Sequence, residues 1–278
     1  MIRPLALGLT LLAAGTAWAG DQSQRLAREL HGIKGADDRV AVEAGQYPWS
    51  AMGRLNNGLG GHCSGVLVGP KLLATAAHCL WNHKTRALIP VSSLTFVAGY
   101  DRGQYLKASK VVRMHPSPRW DYGANASTSG GLAGRADDWA LLELEEPLGD
   151  SVGVVPLGAD PEQGKPVVAA GYGKDKAHIP TAHLGCHVVE KRGPLLIDDC
   201  DAVQGDSGGP VLVWRNGQPQ VAALNVAVLL GGRDEMGVAL AASAFKAEAL
   251  RLGAASAGTP GALSQPLDAL VKAKAEGR

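Results

Sequence analysis

Three short segments of this 278-residue chain could bring a nucleophile, a base and an acid to one place. Gly205-Asp206-Ser207-Gly208-Gly209-Pro210 lies between turn-forming residues and the apolar run that starts at Val211. A serine hydroxyl is a weak nucleophile until a base takes its proton, and the oxyanion that develops needs donors. Gly205 has no side chain to obstruct a tight turn, so its N–H and that of Ser207 can converge on one point. Gly208 and Gly209 leave room for a substrate backbone. Leu73-Ala74-Thr75-Ala76-Ala77-His78-Cys79 supplies a histidine at the end of an apolar run, beside a cysteine that can pin it. Asp137-Asp138-Trp139-Ala140-Leu141-Leu142 carries an acid into a buried strand. That is costly unless the acid is paired, and a histidine N–H is a suitable partner. Asp138 takes that role, and Asp137 reads as a surface loop acid.

Two other chemistries need weighing. The serine hexapeptide fits the G-x-S-x-G elbow of α/β-hydrolases, in which acid and histidine follow the serine. The last histidine here is His187, so none follows Ser207 and the base must lie upstream. A zinc hydrolase would need a ligand set. No C-x-x-C pair exists, and the Cys/His spacings match no usual zinc pattern. His178, His183, Cys186 and His187 cluster in sequence but read as solvated loop residues. No metal and no other cofactor is expected.

The elements that must position these residues are short. Apolar runs of strand length recur at Val66, Leu72, Leu94, Lys110, Trp139, Val167, Val188, Val211 and Val221. Gly, Pro, Asn and Asp separate them, which predicts an all-β barrel or sandwich. The Gly/Ser/Asn-rich stretch from Ser117 to Arg135 reads as an exposed loop. Ala241 to Leu252 turns helical, with Phe245, Ala249, Leu250 and Leu252 on one face. Residues 253–265 read as a linker and 266–276 as a short amphipathic tail.

Composition fits this. The chain is 46% hydrophobic and 19% charged, too apolar for disorder. Lys plus Arg number 27 against 26 Asp plus Glu, which excludes a general nucleic-acid-binding surface. Met1 to Ala19 reads as a signal peptide ending in Ala17-Trp18-Ala19, so the mature chain starts at Gly20. No other segment is apolar enough to cross a membrane. A secreted or periplasmic location follows. In that oxidising compartment Cys63, Cys79, Cys186 and Cys200 should form disulfides, with three connectivities open. Sequential pairing closes loops of about 15 residues, each worth ~3 kcal/mol in the chain-entropy model.

Thr75-Ala-Ala-His78-Cys79, Asp138-Trp-Ala-Leu-Leu and Gly205-Asp-Ser207-Gly-Gly-Pro resemble the three triad motifs of the chymotrypsin/trypsin family, in that family's order. Gln46-Tyr-Pro-Trp49, Gly61-His-Cys-Ser-Gly65, Ala170-Gly-Tyr-Gly173 and Met236-Gly-Val-Ala239 extend the resemblance over about residues 33–252. Asp37-Asp-Arg-Val40 and Cys200-Asp-Ala202 resemble the bacterial branch that includes glutamyl endopeptidase-like enzymes.

The resemblance implies two six-stranded antiparallel β-barrels, about 33–150 and 151–242, and a C-terminal helix. Residues 20–32 would be a pro-segment or leader and 253–278 a linker and tail. It implies a serine endopeptidase with His78 as base, Asp138 as its orienting acid, Ser207 as nucleophile and the Gly205 and Ser207 N–H groups as oxyanion hole. The alternative is a non-catalytic homologue acting as a binding module. Cys63 and Cys79 resemble the bridge beside the base, which leaves Cys186 to Cys200. Asp201 stands where the trypsin branch has its pocket acid, Ala227 replaces an entrance glycine and Gly237 matches a small pocket wall. In the family a freed N-terminal amine pairs with the acid before the serine, here Asp206; Gly32 and Ile33 are the nearest candidates to supply it. Polypeptide substrates and a protein inhibitor are the expected partners of a monomer, with no nucleic acid and no membrane after signal cleavage.

Overall fold

A computed structural model describes residues 30–125, 132, 134–230 and 235–255. The expected signal peptide, residues 20–29 and the tail beyond residue 255 lie outside the described residues. The strands, in chain order, are β1 (Arg39–Ala41), β2 (Met52–Asn57), β3 (His62–Gly69), β4 (Leu72–Thr75), β5 (Trp81–Asn82), β6 (Ala87–Leu88), β7 (Leu94–Ala98) and β8 (Lys107–Pro116). They continue as β9 (Ala140–Leu144), β10 (Pro166–Gly171), β11 (Thr181–Arg192), β12 (Leu195–Asp198), β13 (Pro210–Arg215), β14 (Gln218–Leu229) and β15 (Met236–Ala241).

Burial explains why these runs became strands. In β8, Ser109 and Val111 are buried while Lys110 and Val112 face solvent. In β11, Leu184, Cys186 and Val188 point inward while His187 and Val189 point out. That period of two is what a half-buried strand requires. β4 is buried at every position, and so is β9 but for Glu143, so both read as continuous apolar runs.

Strands β2-β3-β4-β9-β8-β7 close one barrel. The second runs β11-β10-β13-β14-β15-β12, and β12 pairs back onto β11 to close it. These are the two six-stranded antiparallel barrels expected. One core cluster spans both, from Trp49 and Phe96 to Leu224 and Leu240.

Several local expectations change. Residues 39–41 fall in the range expected for the first barrel, but as β1 they add to the second, with Arg39 opposite His183. Its partner lies so far along the chain that no local pattern announces it. Residues 30–32, expected as a leader, are tied to the domain: the Gly32 carbonyl accepts the Ala202 N–H at 3.1 Å. The stretch expected as an exposed loop is anchored at its ends, since Ser117, Trp120 and Arg135 are all buried. Within it a single helical turn, α1, covers Tyr122–Asn125, and a second, α2, covers Gly149–Val152 further on. The C-terminal helix is shorter than predicted. A 3-10 turn at Ala242–Ala244 leads into α3 (Lys246–Arg251). Phe245 and Ala249 are buried, but Leu250 is exposed. Among the described residues no helix is long and apolar enough to cross a membrane.

Candidate active site

The register of one strand pair brings base and acid together. β4 and β9 are antiparallel, with Thr75 opposite Ala140. His78 follows the end of β4 in a 3-10 turn, and Asp138 precedes the start of β9, so the two meet at one end of the ladder. The His78 backbone N–H donates to Asp138 Oδ1 at 2.9 Å, and ring Nδ1 donates to Oδ2 at 2.8 Å. Two bonds to one carboxylate fix both the position and the tautomer of the ring, leaving Nε2 as the acceptor. Asp138 is fully buried. Burial alone would raise its pKa, but the His78 donors and the nearby Arg135 guanidinium outweigh it and hold the carboxyl below the usual range. Asp137 instead pairs with Arg119 at 2.8 Å, as a surface acid does.

Arg135 was not anticipated as a site residue. Its guanidinium is buried and donates to Asp138 Oδ2 at 2.9 Å, the same oxygen that meets His78. The guanidinium carbon lies 5.8 Å from the Trp120 ring centre. The only sequence signal was its place three residues before Asp138, and a loop-like stretch hid it.

Ser207 lies between β12 and β13 and lines the same cleft as His78, a cavity of about 660 Å³. The first barrel grips this loop through Ser64 of β3. The Ser64 N–H donates to the Ser207 carbonyl at 2.9 Å, and its hydroxyl donates to the Gly205 carbonyl at 2.9 Å. That hydroxyl also accepts the Tyr172 N–H at 2.8 Å. Gly205 has φ +105°, which glycine tolerates best. Among the described residues the N–H groups of Gly205 and Ser207 meet no protein acceptor, so both remain available to a ligand. Gly208 was read as room for substrate. The structure gives it an internal reason: φ is +79°, and a Cβ there would overlap Thr75 Oγ1 and come within 2.5 Å of the Ser64 carbonyl oxygen. His62 sits beside Gly205 and donates from Nε2 to the Tyr172 carbonyl at 2.8 Å; burial lowers its pKa.

The disulfides are Cys63–Cys79 and Cys186–Cys200, as the resemblance implied. Two groups of potential metal ligands among the described residues each contain both cysteines of one bridge, which cannot coordinate. The histidines that cluster in sequence diverge in space. His178 bonds the Tyr100 hydroxyl, His183 accepts the Asp201 N–H, and His187 lies near Asp199.

The pocket residues need correction. Asp201 was expected at the base of a specificity pocket. Its side chain is buried, with Oδ1 accepting the Lys34 N–H at 2.9 Å and Oδ2 the Asp38 N–H at 2.8 Å. It anchors the N-terminal segment and does not line the cleft. Gly237 does not line it either; it faces Asp198, whose carboxylate would overlap any Cβ there. Ala227 does line it, with Ala202, Val203, Val226, Val228 and Leu230. Ala227 follows a bulge in β14 at the site edge, the kind of irregularity that re-aims side chains. Gly32 and Ile33 do not reach Asp206. The Gly32 N–H meets the Glu235 carboxylate, and the Ile33 N–H donates to the Leu30 carbonyl.

Known proteins resemble this chain in sequence and in fold. The chain is 27% identical over 192 residues to a glutamyl endopeptidase of Bacillus licheniformis, covering 66% of this chain and 55% of that protein. It is 27% identical over 250 residues to serine protease 23 of Bos taurus, covering 76% and 59%. It thus spans little more than half the length of these curated relatives. A solved structure of a Glu endopeptidase in complex with MPD superposes with a TM-score of 0.65 at 18% identity, covering 79% of this chain and 98% of that one. The family model described as Trypsin matches residues 38–247, from just before β1 into α3 and across all three triad-like segments. The chain belongs to the trypsin family.

Proposed function

We propose that this chain is a secreted serine endopeptidase that works through an acyl-enzyme. The carrying observation is the buried Asp138 carboxylate, which takes both N–H groups of His78 at the wall of the cleft that Ser207 lines. In this reading His78 Nε2 takes the Ser207 proton as Oγ bonds the scissile carbonyl carbon. The carbonyl electron pair moves onto oxygen, where the Gly205 and Ser207 N–H groups receive it. When the pair returns, the C–N bond breaks and the amine leaves with the proton from His78. Water repeats the cycle on the ester, giving its proton to His78 and releasing the acid and Ser207. Asp138 stays ionised and stabilises the imidazolium.

The side chain before the scissile bond would meet the apolar walls of Ala202, Val203, Val226 and Ala227. With Asp201 bound to backbone N–H groups, its carboxylate is not offered there to an Arg or Lys side chain. The reading is therefore an apolar preference, and it does not adopt the glutamyl preference in one relative's name. Export through the N-terminal segment completes the proposal, and an exported chain should begin at Gly20.

The test is a fluorophosphonate probe together with matched Leu, Arg and Glu peptides. The purified chain should take the label and cleave the Leu peptide best. Ser207→Ala should lose both, keeping at most ~10³–10⁴-fold over the uncatalysed rate. An unlabelled, inactive wild-type chain would make it a binding module instead.

A further inference from the structure

Asp206 immediately precedes the nucleophile and is buried. Its Oδ2 accepts the Val203 N–H at 2.8 Å, closing the turn that presents Gly205 and Ser207. Its Oδ1 has no hydrogen-bond partner. A buried carboxylate in that state needs a nearby cation to remain charged. The cation is Arg39 of β1, whose guanidinium Nη1 lies 3.6 Å from Asp206 Oδ2.

Arg39 is itself nearly inaccessible and joins three parts of the chain. It forks onto Asp37, with Nε to Oδ1 and Nη2 to Oδ2, both at 3.0 Å. It forks again onto Asp175 in the turn after β10, with Nη1 to Oδ1 at 3.2 Å and Nη2 to Oδ2 at 2.6 Å. Lys176 closes on Asp37 Oδ2 from outside at 2.6 Å. The same turn touches the oxyanion loop directly, because the Lys174 N–H donates to the Gln204 carbonyl at 2.7 Å. Arg39 thus fastens the loop carrying Ser207 to two segments that precede it by about 30 and 165 residues in sequence.

We infer that Arg39 is a positioning residue for hydrolysis: it supplies the positive charge that faces Asp206 and holds the 203–207 loop in working shape, so the site is complete without a newly freed N-terminal amine. The assignment rests on the endopeptidase reading. It also fits the two candidate amines, since Gly32 is tied to Glu235 and Ile33 to Leu30. The charges opposing each other around Asp206 are those of Arg39 on one side and of Asp175 and Asp37 on the other. Burial lifts Asp206 to about 6, and Arg39 is the largest influence pulling it back.

The experiment compares Arg39→Gln, Arg39→Lys and the wild-type chain starting at Gly20 with a wild-type chain carrying a fused N-terminal extension. Hydrolysis of the Leu peptide and the rate of fluorophosphonate labelling are measured. The extended wild type should match the unextended one in kcat within about threefold. Arg39→Gln should lose kcat and labelling rate about 100-fold with KM changed less than threefold. Lysine should restore part of the kcat, because one charge returns without the double fork. An extension that silences the enzyme until it is cleaved would overturn the inference, and this arm stands even if Arg39→Gln fails to fold. Full kcat in Arg39→Gln would overturn it too, while leaving the endopeptidase reading intact. A wild type that neither labels nor hydrolyses would overturn both.

Discussion

Arg135→Met separates what holds Asp138 from what uses it. The guanidinium is buried and 2.9 Å from Asp138 Oδ2, and Asp138 has no solvent exposure. Methionine keeps an apolar side chain of similar length and removes the charge, its donors and the guanidinium that lies over Trp120. Breaking a buried pair by deleting one partner costs about 3–5 kcal/mol. The two His78 bonds to Asp138 survive, which places the loss near the lower end, about 3 kcal/mol. For a domain of this size each kcal/mol moves Tm by about 2–4 °C, so Tm should fall by roughly 6–12 °C at pH 7. The sign with pH follows from Asp138, whose folded pKa is depressed, in part by Arg135. A depressed acid stabilises the fold above its unfolded pKa and loses that stability as pH falls through its folded value. The gap between wild type and variant should therefore be full at neutral pH and narrow in strong acid. Activity should respond far less. His78 still has both bonds to Asp138, so kcat should stay within about tenfold, while Asp138→Asn should cost about 10⁴ by offering the wrong tautomer. The assays are calorimetry at pH 7 and pH 3 and turnover of one peptide. A Tm within 2 °C of wild type at pH 7 would refute the stability argument. A kcat as low as that of Asp138→Asn would show that Arg135 orients the triad itself.

Three further outcomes are expected. Asp198 is buried, one of its oxygens lacks a partner, and its pKa rises from 3.8 to about 7. A raised acid favours the fold at low pH and loses that advantage between its unfolded and folded values, so stability should fall by about 4 kcal/mol from pH 4 to 7; urea melts of wild type and Asp198→Asn should differ in this slope, and parallel slopes would discount it. Asp201→Ser should lower kcat/KM on Arg and Leu peptides by the same factor, because its carboxylate holds Lys34 and Asp38; a loss confined to Arg would return it to the pocket. Gly208→Ala should destabilise by about 2–5 kcal/mol, from the left-handed backbone and the crowding against Ser64 and Thr75, and an unchanged unfolding midpoint would be evidence against that crowding.

What could be read from the sequence was local. The β4 and β9 runs are apolar throughout or nearly so and announce themselves as strands, and the motifs at their ends carry His78 and Asp138. In the serine hexapeptide Gly208 is needed for packing against Ser64 and Thr75, so the motif was legible even though the reason first given for Gly208 was not the structural one. The strands that went unread were β1, β2, β5, β6, β12 and β15. β2 reads Met-Gly-Arg-Leu-Asn-Asn, with one strongly apolar pair and no clean alternation. β1 has three residues and draws its stability from pairing with Thr181 to His183. Such pairing is a property of the closed barrel, and no window of sequence contains it.

The buried acids show where a residue-by-residue carry-over stops. Among the described residues four aspartates are buried: Asp138, Asp198, Asp201 and Asp206. Each must escape the cost of charge in a low-dielectric interior, and each does so differently. Asp138 takes two donors from His78 and one from Arg135. Asp201 takes backbone N–H groups from an N-terminal segment more than 160 residues earlier. Asp206 faces a guanidinium from β1. Asp198, with one oxygen unpartnered, avoids the cost by binding a proton more readily. The side-chain chemistry is identical in all four, so the partner decides the role. For Asp138 that partner sat in a second motif that was itself recognisable, and the role could be carried over. For Asp201 and Asp206 the partner came from residues 34–39, a polar stretch in which no element was read from the sequence. An aspartate six places before the serine is thus compatible with a pocket floor or an N-terminal anchor. The N–H groups of Lys34 and Asp38 decide between the two by occupying both oxygens before any substrate arrives.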